Sequence, residues 1–588
     1  MIFRVQHTNS TLPGPSVLCY KWTMLRLPGI VIIGLLVTTG VWAQPVISGV
    51  VNSATFAKAP LDPNGGSIGS NVIAQGSIFT IFGTRLGPNT LILGPASLPI
   101  PTSLPEQNGT TVTVTSGGRT VSAFPVSNAS GTQVSAILPS STPLGPATIT
   151  VTYNGQTSAA AKVTVVKAAP GIYTLNSGGN GPGIAQVADT GSRLNLLTNS
   201  VQPGQTLVLY GTGLGPISGA DNARPGATPL SNVTVNLAGV TIQPAYAGRV
   251  PDFPGEDQIN FVIPANAPTG CYVPLEVTSS GQPSKLVYVS IASGSITCTH
   301  PLGLPAATLA KLDTGGTVNI GVFEILRAIA SGIPLEGGGG LFAMVNADGV
   351  FQLFNRIPNA FGVINFPVAS GSCAVLDTLD VGSGGLLPDF TMIGGKELTA
   401  GTSLGVSGPT GGAQSLLASS AGGYLNFLNN LGAGTWTLSG SRGLDIGAFT
   451  GKIDLPDNLI WTNSGNLTSP PRSGLTMTWT GGNLNANSLV TIFGSSIVIN
   501  PSDPSKSRGK QFYCNAPASA GQFLVPSSML SQLPSSTVDA SAGEVAFGTL
   551  GINAGGSAAF SAPLVAGGTT DAGFLSYGEA HTLNVKYQ

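Results

Sequence analysis

The chain has 588 residues, too many for one core, so three to five domains of ordinary size are expected. Charged residues make up 8%, against roughly a quarter in an average soluble protein, while 42% hydrophobic residues supply enough apolar surface to bury cores. The formal net charge is −1 with no basic stripe, which argues against nucleic acid as a partner, and the Gly and Pro content (82 and 44 residues) stays below the level that signals disorder.

The first segment, 1–43, reads as a leader and signal peptide. Lys21 and Arg26 precede an apolar run over 30–41, and Val41-Trp42-Ala43 offers the small residues a signal peptidase requires. The run is too short and too Gly-rich for a membrane span, so cleavage after Ala43 is expected to leave Gln44 first and no membrane span thereafter. Mass spectrometry of the secreted protein tests this, with an intact 24–43 segment as the contrary result. Met24 is a second candidate start.

Two long segments follow that share a pattern. Residues 78–88 read IFTIFGTRLGP and 206–216 read TLVLYGTGLGP, pairing Phe79 with Leu207, Phe82 with Tyr210 and Gly83 with Gly211. Each is an apolar strand ending in a corner where glycine is needed because a Cβ would clash. At nearly the same spacing, Gln133-Val134 and Pro139 match Gln258-Ile259 and Pro264. Between them run short alternating strands such as TTVTVTS (110–116) and ATITVTYNGQ (147–156). Period-two patterning bounded by Gly, Pro and Asn reads as an antiparallel sandwich. Two duplicated antiparallel sandwiches are therefore expected over 44–168 and 169–298, the junction lying at Pro170-Gly171.

The segments GSIFTIFGTRLGP, AAPGIYT, YGTGLGP and QINFVIP…PTGCYVPLEV resemble an uncharacterised family of secreted soil-bacterial proteins. Its tandem repeats are similar to IPT/TIG-type immunoglobulin-like domains. The resemblance covers about residues 45–300 and implies strands and corners, not chemistry. The acidic loop 250–257, VPDFPGED, departs from that pattern.

Beyond residue 298 the repeat ends. A β-rich connecting region is expected over 299–370, with a short helix over 304–313; over 317–329 Val322, Ile325, Leu326 and Ile329 suit a helix and TVNIGVF a strand, and it is read as a strand. A sandwich unit over 371–455 and a C-terminal immunoglobulin-like sandwich over 456–588 complete an all-β chain.

Four cysteines remain after the leader, an even number that suits a secreted protein with disulfides. Of three possible pairings, Cys271–Cys298 with Cys373–Cys514 is favoured, since the first pair brackets the last two strands of one domain.

Candidate chemistry is sparse. After the leader only His300 and His581 remain, no Gly-x-Ser-x-Gly elbow occurs, and both histidines read as surface residues. Asp252, Glu256 and Asp257 cluster in one loop and Asp377 and Asp380 in another. Such groups ordinarily form solvated loop faces, and the first set is a weak Ca²⁺ candidate through hard oxygen ligands. Phe253 and Trp461 are candidates for stacking on a ligand, whereas Trp436 and Trp479, alternating with Thr, read as core residues.

No catalytic residue and no cofactor is assigned. The expectation is a secreted or cell-surface binding or adhesion module acting on an extracellular polymer or protein. Its alternatives are a glycan-directed extracellular hydrolase with its site in the C-terminal half, and a structural spacer or envelope component.

Overall fold

The computed structural model describes residues 43–588 apart from 56–71, 95–97, 106–108, 178, 180, 190, 301–302, 332–346, 358–369, 378–395, 419–422, 428–430, 483–487 and 503–506. At 328–331, 347–357, 376–377, 425, 427 and 542 only the backbone is described. The leader and Asp380 thus lie outside the described residues, and Asp377 ends a strand. The fold is all-β, with tandem immunoglobulin-like sandwiches.

In the first sandwich, one sheet has the order Val46–Asn52, Ile78–Thr84, Gln133–Ile137, Phe124–Ala129, Ile92–Leu93. The facing sheet runs Val72–Ala74, Ala161–Val166, Gly145–Tyr153, Thr110–Ser116, Ser103–Leu104. Alternation does the packing. Val112, Val114, Ile149 and Val151 point inward and are fully buried, while the intervening threonines face outward and bond across strands, as Thr113 does to Thr150 at 2.7 Å.

The second sandwich repeats this order. One sheet runs Gly171–Ile172, Thr206–Thr212, Asp257–Val262, Tyr246–Arg249, Thr228–Pro229, and the other Gly181–Pro182, Val287–Ile291, Gly270–Ser279, Val233–Leu237, Val240–Ile242. Both corner strands occupy the second position of their sheet. In both repeats one short strand pairs parallel, Val72–Ala74 with Ala161–Val166 and Gly181–Pro182 with Val287–Ile291. The equivalence reaches side chains: Val151 N donates to Ser158 Oγ at 3.1 Å, and Val277 N to Ser284 Oγ at 2.9 Å. The corner glycines answer to a close approach. A Cβ on Gly83 would strike the Val46 carbonyl, and one on Gly211 the Gly171 carbonyl, in each case from the neighbouring strand.

Among the described residues the C-terminal half is built on a thirteen-stranded sheet. Strand Val318–Ser331 runs parallel to Ala572–Asn584, about 250 residues later, and antiparallel to Ala347–Ile357. Two cores lie on one side of this sheet, and a third, which includes Val318 and Phe574, on the other. Of the first two, one gathers Trp436, Leu438, Phe449 and Ile453 with Phe323 and Leu575. The other gathers Met477, Trp479, Ile492, Phe512 and Ile552 beneath a three-stranded sheet of Ile460–Trp461, Leu475–Thr480 and Gln522–Val525. Segments 371–455 and 456–588 both supply strands to the shared sheet and residues to both of these cores.

Both cysteine pairs are bridged. Cys271–Cys298 has its Cα atoms 5.0 Å apart and ties the exit of the second sandwich to its own strand; Cys373–Cys514 joins directly opposed residues of adjacent strands. Replacing Cys271 and Cys298 by alanine should cost about 3–4 kcal/mol, the loop-closure value for a separation of 27 residues. Denaturant titration with and without reductant checks this, and an unchanged midpoint would contradict it.

Beyond Cys298 the helix Ala306–Asp313 wedges between the second sandwich and the long sheet. Leu309 and Leu312 pack with Tyr272, Val318 and Phe574. The Asp313 carboxylate accepts Leu197 N and Thr198 N, each at 2.8 Å, and Thr198 Oγ1 at 2.7 Å. Among the described residues no helix is long and apolar enough to cross a membrane.

Candidate functional site

The acidic loop is where the sequence places most of its candidate chemistry, and the structure puts that loop between the two sandwiches. It lengthens the hairpin joining Tyr246–Arg249 to Asp257–Val262; the equivalent hairpin of the first repeat turns within residues 129–133. The added residues reach back to the first sandwich. Gly255, with φ of 77°, lies against Ile78 and Ile137, where a side chain would collide. Thr212 Oγ1 accepts Ile78 N at 2.9 Å and donates to Gly255 O at 2.7 Å.

At the centre of this junction is a buried ion pair. Arg249 and Asp257 are 1% and 0% exposed, and one guanidinium nitrogen, Nη1, bonds the Asp257 carboxylate. The other, Nη2, donates at 2.8 Å to Gly76 O of the first sandwich and at 2.8 Å to Gly215 O of the second. Asp257 Oδ2 accepts Leu214 N at 2.8 Å. Burial pushes the Asp257 carboxyl up, and Arg249 with the Leu214 N–H pulls it back. Around this pair Ser140 donates to Asp221 through N at 2.6 Å and Oγ at 2.7 Å, Asn52 Nδ2 donates to Ala169 O at 2.9 Å, and Ile100 and Asn222 exchange bonds of 2.7 and 2.9 Å.

This corrects the solvated-face reading of the loop. Asp257 faces inward, both its oxygens engaged, because the guanidinium and an N–H offset its loss of water. Glu256 is half-buried, and burial and Asp257 raise its carboxyl. Asp252 stays on the surface beside Arg224 at 3.3 Å. The three carboxylates do not converge, and among the described residues no group of His, Cys, Asp and Glu is arranged to hold a metal ion. Phe253, 57% exposed, is the loop's outward side chain.

Trp461 is also corrected. It is 7% exposed, belongs to the core with Trp479 and Met477, and spends its indole N–H on Asn463 Oδ1 at 3.0 Å. Its ring is not presented to a ligand. Trp461→Ala should therefore destabilise the C-terminal half by about 3–5 kcal/mol, the cost of a large core truncation. Thermal unfolding measures this; a folded variant of unchanged stability that loses ligand binding would restore the stacking role. Trp436 and Trp479 are buried as their alternation implies.

His300 is not a surface residue. It is 3% exposed between Tyr272, edge-on at 5.5 Å, and Phe574, stacked at 6.5 Å, and burial pushes its imidazole down to about 3. A histidine held neutral among aromatic rings packs as an aromatic.

His581 belongs to a polar cluster that sequence reading missed. Strand Ala572–Asn584 sends Tyr577, Glu579 and His581 to one face, at the seam between the two cores. Glu579 is fully buried; it accepts Tyr577 OH at 2.6 Å, lies 3.2 Å from His581 Nε2 and has Arg327 Nη1 at 3.8 Å. Burial pushes its carboxyl up, but the bonds from His581, Tyr577 and the Leu459 N–H, with Arg327, together hold it below the ordinary glutamate range. A carboxylate so surrounded has its lone pairs occupied and neutralises a seam. The only sequence signal was the alternation Tyr-x-Glu-x-His, which a strand turns to one side.

No family model matches the chain, and no curated relative matches it. Among solved structures it is similar to a surface glycan-binding protein from Prevotella bryantii, with 10% identity over 41% of each chain and a TM-score of 0.13. It is similar to the SGBP-B protein of a Bacteroides ovatus mixed-linkage glucan utilization locus, in complex with a heptasaccharide. There the identity is 12% over 84% of this chain and 94% of that one, with a TM-score of 0.13. It is also similar to three immunoglobulin domains of titin, with 9% identity over 70% of this chain and 94% of that one, TM-score 0.12. Likeness at this level assigns neither family nor ligand.

Proposed function

We propose that this chain is a secreted or cell-surface, non-catalytic binding module that holds outward faces of fixed sandwiches towards an extracellular polymer or protein. The observation that carries the reading is the inward turn of the acidic loop. The carboxylate best placed for chemistry, Asp257, is committed to Arg249 and joins two domains instead of facing a cleft. The two interdomain junctions, one polar around Arg249 and one apolar around Leu309, orient successive sandwiches with respect to each other. Two disulfides suit an oxidising compartment.

The test is a paired screen of the mature protein. Retention on polysaccharide or protein arrays is expected with no release of sugar, peptide or ester product. Turnover abolished by Asp257→Asn without loss of folding would replace this reading with the hydrolase. One observation favours that second reading, the Glu579–His581 pair, so Glu579→Gln belongs in the same screen.

A further inference from the structure

Among the described ladders three pair in parallel, and each joins a strand near the entry of its unit to the strand at its exit. Val72–Ala74 pairs with Ala161–Val166 over three residues, and Gly181–Pro182 with Val287–Ile291 over two. Val318–Ser331 pairs with Ala572–Asn584 over twelve. Tension drawn from the sandwiches reaches the long sheet at Val318, and tension drawn from the C-terminal side reaches it at Asn584. Because the two strands run the same way, these points lie at opposite ends of their ladder. Pulling them apart slides one strand along the other, so all the bonds from Ile320 to Ser331 stretch together over about 36 Å. An antiparallel pair loaded in the same way has both points at one end and opens one bond at a time.

Other contacts add to this resistance. Neither long strand is at an edge: Val318–Ser331 is also laddered to Ala347–Ile357, and Ala572–Asn584 to Val545–Ala559. Withdrawing either one therefore breaks two ladders. At the entry end the Asp571 carboxylate accepts Lys311 Nζ, Asn319 N at 2.8 Å and Asn319 Nδ2 at 3.1 Å, which pins the two strand starts together. At the exit end Val585 and Tyr587 are buried in a core. The shortest of the three ladders, in the second sandwich, is backed covalently. Load arriving at Cys298 crosses the bridge to Cys271, and strand Val287–Ile291 lies inside the loop that the bridge closes.

We infer that this chain carries tension along its length, from its N-terminal sandwiches to its C-terminal end, with the pair Val318–Ser331 and Ala572–Asn584 as the element that resists it. Forced unfolding is governed by the rate of unfolding along the pulled direction, so resistance of this kind needs no unusual equilibrium stability. The three parallel ladders place that resistance in series, once in each sandwich and once in the long sheet. This goes beyond the binding reading above and is the same for a polymer or a protein target.

The experiment pulls single molecules of the mature full-length protein in two directions. Handles at both chain ends load the long parallel pair in shear. Handles at the N-terminal end and at Ala566→Cys, in the exposed turn before Ala572, load the same pair from one end. Urea unfolding of the variant is compared with the parent beforehand; Val565→Cys in the same turn is the second attachment point should the first not fold. The long sheet should yield after the first sandwich, whose ladder has three pairs. Its force should be at least about twofold higher end to end than through residue 566. Reduction should lengthen its release by about 50 nm, because Cys373–Cys514 withholds 141 residues at about 3.5 Å each. Equal forces in the two directions overturn the inference, and so does a long sheet that yields before the first sandwich. A release unchanged by reductant assigns the resisting event to another part of the chain and overturns it as well. None of these outcomes touches the binding reading, which the arrays decide.

Discussion

Arg249→Met is expected to weaken the junction between the two sandwiches by about 3–5 kcal/mol, the cost of removing one member of a buried ion pair. Three consequences act together. Asp257, at 0% exposure, loses its counter-charge and must either stay ionised in a dry site or take up a proton, and either costs stability. Gly76 O and Gly215 O each lose the 2.8 Å bond from Nη2. Buried acceptors stripped of a donor carry their full desolvation cost. The polar bonds around Ser140 and Asn52 remain, so each sandwich keeps its own core while their attachment loosens. The measurement is limited proteolysis of the interdomain stretch 167–171, together with the first transition in urea. Faster cleavage and an earlier first transition are expected in the variant. Arg249→Met with Asp257→Leu should recover much of the loss, since removing both charges leaves neither unpaired. A single variant as resistant as the parent would show that the contacts around the pair suffice.

His300→Phe is the second large effect, and it appears only in acid. Burial lowers the folded imidazole from 6.5 to about 3. Above pH 6.5 the ring is neutral whether the chain is folded or not, so it contributes no pH dependence. Between 6.5 and 3 the unfolded chain takes up a proton that the folded chain refuses, and stability falls with pH. Integrated over that window the loss approaches about 4–5 kcal/mol. The groups facing the ring are Tyr272 and Phe574, with Asp313 the nearby carboxylate acting on Tyr272. Neither ring takes up a proton in this window. The phenylalanine variant keeps the aromatic packing and removes the titration. Urea midpoints at intervals from pH 7 to 3 should therefore converge at neutral pH, and the variant should gain on the parent as pH falls. A difference constant with pH would mean that solvent reaches the ring. Carboxylates elsewhere lose stability in acid in both proteins, and the comparison cancels them.

Much of this molecule was legible locally. Alternation in TTVTVTS and ATITVTYNGQ forces one face inward whatever the partner, because successive side chains of a strand point to opposite sides. The repeated corner glycines mark a backbone approach that recurs in each sandwich, so duplication was readable before any strand was paired. Even cysteine number and low charge pointed to the disulfides without geometry.

What tertiary structure decided was the fate of residues whose type has two outcomes. A carboxylate in a Gly- and Pro-rich loop is solvated unless a cation meets it. Asp257 meets Arg249 because the two stand opposite each other across the hairpin, and the pair is buried because that hairpin reaches the neighbouring domain. His300 and Trp461 carry polar atoms on apolar bodies, and only the packing of distant strands chose burial for both. The shared sheet was hidden for the same reason. Val318–Ser331 and Ala572–Asn584 lie side by side although about 250 residues separate them, and no periodicity within either strand records its partner. Periodicity states which side of a strand is apolar; which element covers that side is settled only when the chain closes.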